Sequence, residues 1–289
     1  MTHIAADSAA DIVSERGIYL YGLSRPDGLS RLNTMAGLGL QSDDGLSGVG
    51  VTAVHSAGSS AQLIALISEV KIADFSEVNL QTLAWVGTRA AQHEAVVAVA
   101  MGVSTVLPAK FATIFRSLDS LQQFMAKHGV AIESALDALH GKAEWSVKAY
   151  AVESQARGSI AAADAVIVSR RAALSDSPGA RYMQQKKIDA LIEMAVEKEL
   201  ARVSDELLQK LQNRAEASRA LRCHSSAVTG RPERMIFNAS FLLSEDAQAD
   251  FEVAVAEQQA AYQSMGLTLE LRGPWPPYNF CPDLSGATL

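Results

Sequence analysis

The chain predicts an α+β protein of two domains, a small mixed α+β domain at the N-terminus and a second one carrying a long amphipathic helix. Three observations carry that expectation. Glu144–Tyr150 and Leu267–Arg272 each alternate polar and apolar residues, as half-buried strands do. After Pro178 an apolar stripe (Ile188, Leu191, Ile192, Val196, Leu200, Val203, Leu207, Leu211) keeps helical spacing to about Ser218, about 60 Å of helix at 1.5 Å per residue. Finally, Gly273–Phe280 reads Gly-Pro-Trp-Pro-Pro-Tyr-Asn-Phe. Pro274, Pro276 and Pro277 each lack an N–H and fix φ, so the segment is a stiff, extended exit from the last strand. Trp275, Tyr278 and Phe280 supply aromatic area to pin it.

Taken in order, residues 1–16 are polar and read as a flexible leader. Gly17–Leu23 is a β-branched and aromatic run bounded by glycine, a buried first strand. Ser24–Gly48, rich in Gly, Ser and Asp, reads as loop; Val49–His55 and Leu63–Val70 read as short strands, although Ala61–Ile67 alone would also tolerate a helix. Ser76 caps a helix expected to run to Met101. Ser104–Leu107 is a strand stopped by Pro108, followed by two short helices, Leu118–Lys127 ended near Gly129 and Val130–His140 ended by Gly141. These make up an N-terminal domain over 17–141.

The second domain spans 142–280, with a tail at 281–289. Its first strand, Glu144–Tyr150, is followed by an Ala- and Ser-rich stretch, 151–177, which reads as a variable insertion with some helix. The long helix then begins at Pro178, where a first helical turn tolerates proline. Ala220–Val228 and Met235–Leu243 read as strands, Ser244 opens a helix to about Met265, and Leu267–Arg272 closes the series. The order β-α-β-β-α-β is the ferredoxin-like split pattern.

Formal charge is −7, which disfavours nucleic acid or an anionic membrane as the main partner. Two cysteines, Cys223 and Cys281, have no CxxC spacing, so a disulfide framework is not expected and a reducing, cytoplasmic compartment fits. Neither a signal peptide nor a transmembrane span is expected from the polar N-terminus and the hydropathy pattern. His3, His55, His93, His128, His140 and His224 are scattered singly and read as surface or satisfied side chains, not metal ligands. His93-Glu94 lacks the second histidine of a zinc-protease helix, there is no GxSxG elbow, and Gly37-Leu-Gly39 lacks the third glycine of a dinucleotide loop. Asp43-Asp44 has no partner at calcium-loop spacing. No catalytic residue, metal or cofactor is therefore expected.

Six motifs stand in a collinear order: Gly17–Gly22; His93-Glu-Ala-Val96 leading to Val106-Leu-Pro-Ala-Lys-Phe-Ala-Thr-Ile-Phe115; Glu144-Trp-Ser-Val-Lys148; Gly179-Ala-Arg-Tyr-Met183; Asn238–Leu243; and Gly273–Phe280. With them the chain resembles the gas vesicle GvpF/GvpL family over residues 17–280. Departures from the family pattern are Lys110 for Arg, Ala112 for Gly and Met183 for Leu. Lysine lacks the planar fork of arginine, and alanine at 112 implies a backbone that does not need φ > 0. The resemblance implies a non-enzymatic minor component or assembly factor located at the gas vesicle. It would bind the small, strongly apolar shell protein GvpA, limit its aggregation during nucleation, and contact other Gvp accessory proteins. Candidate partner-binding or family-motif residues are Phe111, Phe115, Tyr182, Trp275, Pro276, Pro277, Tyr278 and Phe280. The facing domain surfaces, the long helix and the 273–280 exit are the first places to look for the interface. Phe111 and Phe115 read more simply as core, and the last three aromatics as a lock on the C-terminus. The rival readings are a small-molecule-binding or enzymatic ferredoxin-like protein, which needs a pocket with convergent polar groups, and an RNA-binding sheet, which lacks the basic and aromatic pattern.

Overall fold

The structure, a computed structural model, describes residues 16–26, 45–46, 50–57 and 62–283. Residues 1–15 of the leader, most of the 24–48 loop, Gly37-Leu-Gly39 and Asp43-Asp44 lie outside the described residues. The architecture is mixed α+β with two antiparallel sheets. The chain divides into two compact units, Met1–Gly141 with Trp275–Leu289, and Lys142–Pro274. The division falls inside the proline-rich exit. Trp275–Phe280, expected in the C-terminal domain, thus belongs with the first unit.

The first unit is organised on β1 (Arg16–Ser24), buried along nearly its whole length. It pairs with β3 (Ile64–Lys71), which carries β2 (Thr52–His55), and on its other side with β4 (Val106–Pro108) and β5 (Ile114–Phe115). Gly22 is required by that crowding: a Cβ there would lie 2.9 Å from Val106 Cγ1 and 3.0 Å from the Leu107 carbonyl oxygen. The expected single helix Ser76–Met101 is two, α1 (Glu77–Gln81) and α2 (Leu83–Met101). Thr82 between them is extended, and its hydroxyl donates to the Val78 carbonyl, the local competition that disfavours threonine within helices. The opposite correction applies next. The two short helices expected around Gly129 are one, α3 (Leu118–Leu139), opened by a Ser117–Ser120 capping box. Its buried stripe Leu121, Phe124, Met125, Ile132, Leu136 passes through Gly129, itself buried, so packing overrides the weak helix propensity of glycine.

The second unit follows the chain through β6 (Lys142–Ala151), α4 (Glu153–Ala163), α5 (Ala165–Ala172), α6 (Pro178–Gln212), β7 (Ala217–Ala220), α7 (Ser226–Thr229), β8 (Arg234–Ser244), α8 (Gln248–Tyr262) and β9 (Leu267–Trp275). The sheet order is β7-β8-β6-β9. The expected strand Ala220–Val228 is corrected. The strand ends at Ala220, because Asn238 on β8 holds the chain by its side chain at the Arg222 carbonyl (2.8 Å) and α7 follows. Pleating sends Trp145, Val147, Ala149, Phe237, Ala239 and Phe241 into one core with the α6 stripe, from Ile188 to Leu211. The other sheet face keeps Ser146, Lys148, Glu270 and Arg272 partly accessible or exposed.

Gly273 lies near the end of β9. Its φ is 153°, and a Cβ there would stand 2.8 Å from the Trp145 ring and 2.9 Å from the Glu144 carbonyl oxygen. Urea unfolding of Gly273→Ala should therefore show a loss of about 2–3 kcal/mol. By contrast Gly87→Ala, on an exposed turn of α2 with nothing within 4 Å, should gain about 0.5–1 kcal/mol.

Candidate functional site

In the first unit three of the six motifs meet at one imidazole. Strand β1 presents Tyr19 and Tyr21, both fully buried. Helix α2 presents His93 on the same face as Val96, Val97 and Ala100, all buried. The turn after β4 brings Phe111, and the 3-10 turn Tyr278–Phe280 brings Tyr278. The Tyr21 ring stacks on His93 at 5.6 Å and 28°, Tyr278 lies over it at 6.0 Å, and Tyr19 and Phe111 meet it edge-on at 5.7 and 6.2 Å. Phe75 extends the cluster from Tyr19 to Trp85, whose ring carries the Arg89 guanidinium 4.1 Å from its centroid.

Two hydrogen-bond relays fix the phenols. The Ala112 N–H donates to Tyr19 Oη (3.2 Å), and the same oxygen lies 2.8 Å from His93 Nδ1. The Leu46 N–H donates to Tyr21 Oη (2.8 Å), Tyr21 lies 3.0 Å from Ser68 Oγ, and Ser68 donates to the Gly50 carbonyl (2.8 Å). Burial raises the pKa of both tyrosines. Burial, followed by the Glu94 carboxylate beside it, raises that of Tyr278. Burial also pushes His93 down to about 4, an effect partly offset by the backbone of Ala109. Tyr19, Tyr21, Tyr278 and His93 are thus uncharged at neutral pH, and the imidazole is enclosed by rings. Such an arrangement holds chain segments together.

The sequence-named residues divide sharply. Phe111 is half-buried in the cluster, and Phe115 is buried on β5 against Phe124 at 5.3 Å. Pro276 and Pro277 are buried, and Phe280 is half-buried. Tyr182, on the first turns of α6, is 60% exposed and Trp275 is 41% exposed. These two alone among the eight present large surfaces to a partner. Ala112 requires a correction: its φ is 63°, the left-handed region, so alanine occupies a backbone that favours glycine, at a cost of about 1 kcal/mol. Lys110 reaches only an exposed 3.7 Å ion pair with Asp283. The sequence places His93 in the second motif but gives it no structural role; its helical spacing to Val96, Val97 and Ala100 is the signal that marks it as buried.

The family described as gas vesicle synthesis protein GvpL/GvpF matches residues 17–282. The chain belongs to that family. It is 28% identical over 227 residues to gas vesicle protein L of Streptomyces sp. (strain CB03234), covering 75% of this chain and 79% of that protein. The crystal structure of GvpF from Anabaena sp. PCC7120 shares the fold with a TM-score of 0.67 at 21% identity, over 92% of this chain and 98% of that one. GvpF from Microcystis aeruginosa gives 0.61 at 19% identity, over 92% and 99%. No helix among the described residues is long and apolar enough to cross a membrane.

The His93 shift has a signed consequence. The native pKa lies below the unfolded value of 6.5, so the stabilisation is complete above about pH 6.5 and is lost as pH falls toward 4, where the unfolded chain alone takes up the proton. Between pH 7 and pH 5 the wild type should lose about 2 kcal/mol more than His93→Gln, read from denaturant midpoints at each pH.

Proposed function

We propose that this protein is a gas vesicle assembly factor that binds the apolar shell protein GvpA, limits its aggregation and aids nucleation of the vesicle, in company with other Gvp accessory proteins. We read its role as non-catalytic. Its second unit we read as a modified ferredoxin-like domain, a reading supported by the strand order β7-β8-β6-β9 and by the β-α-β-β-α-β succession. Family membership supports a gas vesicle role, and its relatives carry gas vesicle names.

The observation that carries the binding reading is apolar surface on the first unit that serves no core. Leu83 is 86% exposed and Val78 74%, at the corner where α1 breaks into α2, with Leu80 and Trp275 also accessible. Side chains of this size left in water suit an apolar partner, and the net charge of −7 keeps such a surface soluble before it is occupied. Tyr182 and Met183 at the start of α6 are a second exposed pair. Phe111, Phe115, Pro276, Pro277, Tyr278 and Phe280 are assigned to holding the scaffold.

Co-expression with GvpA followed by affinity capture tests the assignment. Val78→Glu/Leu83→Glu should fold with wild-type circular dichroism and capture at least about tenfold less GvpA, since two desolvated aliphatic contacts are lost. Trp275→Ala should fold and lose capture partially. Undiminished capture by both well-folded variants would refute the proposed surface.

A further inference from the structure

A cavity of about 250 Å³ opens on the polar face of the second unit's sheet, bounded by Lys148, Tyr150, His224, Arg231, Glu270 and Arg272. We propose that it binds a small, doubly charged oxyanion of the phosphate-monoester kind. The proposal stands apart from the gas vesicle reading.

Charge is the first argument. Three fixed cations, Lys148, Arg231 and Arg272, face one lining carboxylate, Glu270, leaving an excess of two positive charges on a chain whose overall charge is −7. Glu270 is shared: it pairs with Arg231 and lies 3.3 Å from Arg272. No carboxylate among the described residues forms an ion pair with the Lys148 ammonium. Glu233 acts on Arg231 through its field but does not line the cavity. Clustered cations repel one another, and a phosphate monoester carries about −1.5 to −2 at neutral pH, the charge needed to balance them.

Placement is the second argument. Lys148 and Tyr150 stand on β6, Glu270 and Arg272 on the neighbouring β9, so three of the charges are set by the pleat of a sheet whose alternate residues, Val147, Ala149, Leu269 and Leu271, pack into the core. Arg231 is oriented twice, by Glu270 and by the Tyr150 ring, whose centroid lies 4.3 Å from its guanidinium carbon. Two planar forks and one ammonium on a rigid base suit a tetrahedral oxyanion. Size is the third. Cavities of about 150 Å³ admit benzene and drug-sized sites begin near 300 Å³. The space therefore fits the anion with a few carbon atoms, which Met235 and the Tyr150 ring would flank.

Thermal unfolding and isothermal titration of the full chain, at ionic strength held constant with sodium chloride, test this with two probes, inorganic phosphate and a sugar monophosphate. Both should raise the unfolding temperature saturably. Tighter binding of the sugar phosphate supports a contribution from the Tyr150–Met235 wall; equal binding supports recognition of the phosphoryl group alone. Lys148→Gln and Arg272→Gln, which should unfold near the wild-type temperature without ligand, should each weaken apparent affinity about tenfold or more, and Lys148→Arg should largely restore it. Absence of saturable stabilisation, or identical affinities in wild type and both glutamine variants, would overturn the proposal.

Discussion

A neutral imidazole buried among aromatic rings is the constraint on which the first unit depends. His93 Nδ1 lies 2.8 Å from Tyr19 Oη while the Tyr21 and Tyr278 rings pack against the imidazole. Each such ring contact is worth about 0.5–1.5 kcal/mol beyond its buried area. Removing the imidazole would take one of two hydrogen bonds from the buried Tyr19 hydroxyl, at a further cost of about 0.5–1.5 kcal/mol. Through this one residue, strand β1, helix α2, the turn carrying Phe111 and the C-terminal turn become a single cooperative object. A charged imidazole would break that arrangement, so the low pKa of His93 ties the stability of this unit to pH.

The proline-rich signature has two footholds, one in each unit. Gly273 lets the backbone close onto Trp145 within the second unit, and Tyr278 docks on His93 within the first. Its most conspicuous residues therefore serve the scaffold, apart from Trp275, which stays accessible. The exposed apolar corner at Val78 and Leu83 belongs to none of the six motifs. The cationic cavity likewise arises from ordinary strand alternation, of which only Lys148 falls within a motif. Scaffold and candidate binding surfaces thus draw on different residues.

Strong periodicity is legible in the amino-acid sequence alone. The α6 stripe, the alternation of β6 and β9 and the Phe237–Phe241 face of β8 are all where their spacing puts them. Local punctuation is less faithful. Gly129 reads as a helix end, but the side chains around it bury one continuous stripe. Thr82 reads as helix interior, but its hydroxyl competes for the Val78 carbonyl. Alanine at 112 argues for ordinary backbone, yet the turn imposes φ of 63° and uses the N–H to hold Tyr19. The convergence on His93 is illegible for a different reason: it joins residues 19, 93, 111 and 278, and no local pattern encodes contacts of such separation.

Hydrogen exchange on Tyr278→Ala tests the central claim most directly. If Tyr278 completes the cluster, amides of Ile18–Gly22 and Val96–Ala100 should exchange at least about tenfold faster than in the wild type, the factor that about 1.4 kcal/mol of lost stability produces. Amides of Val147–Ala149 and Ala239–Phe241, in the other unit, should keep their protection. Unchanged protection of Ile18–Gly22 would contradict the account.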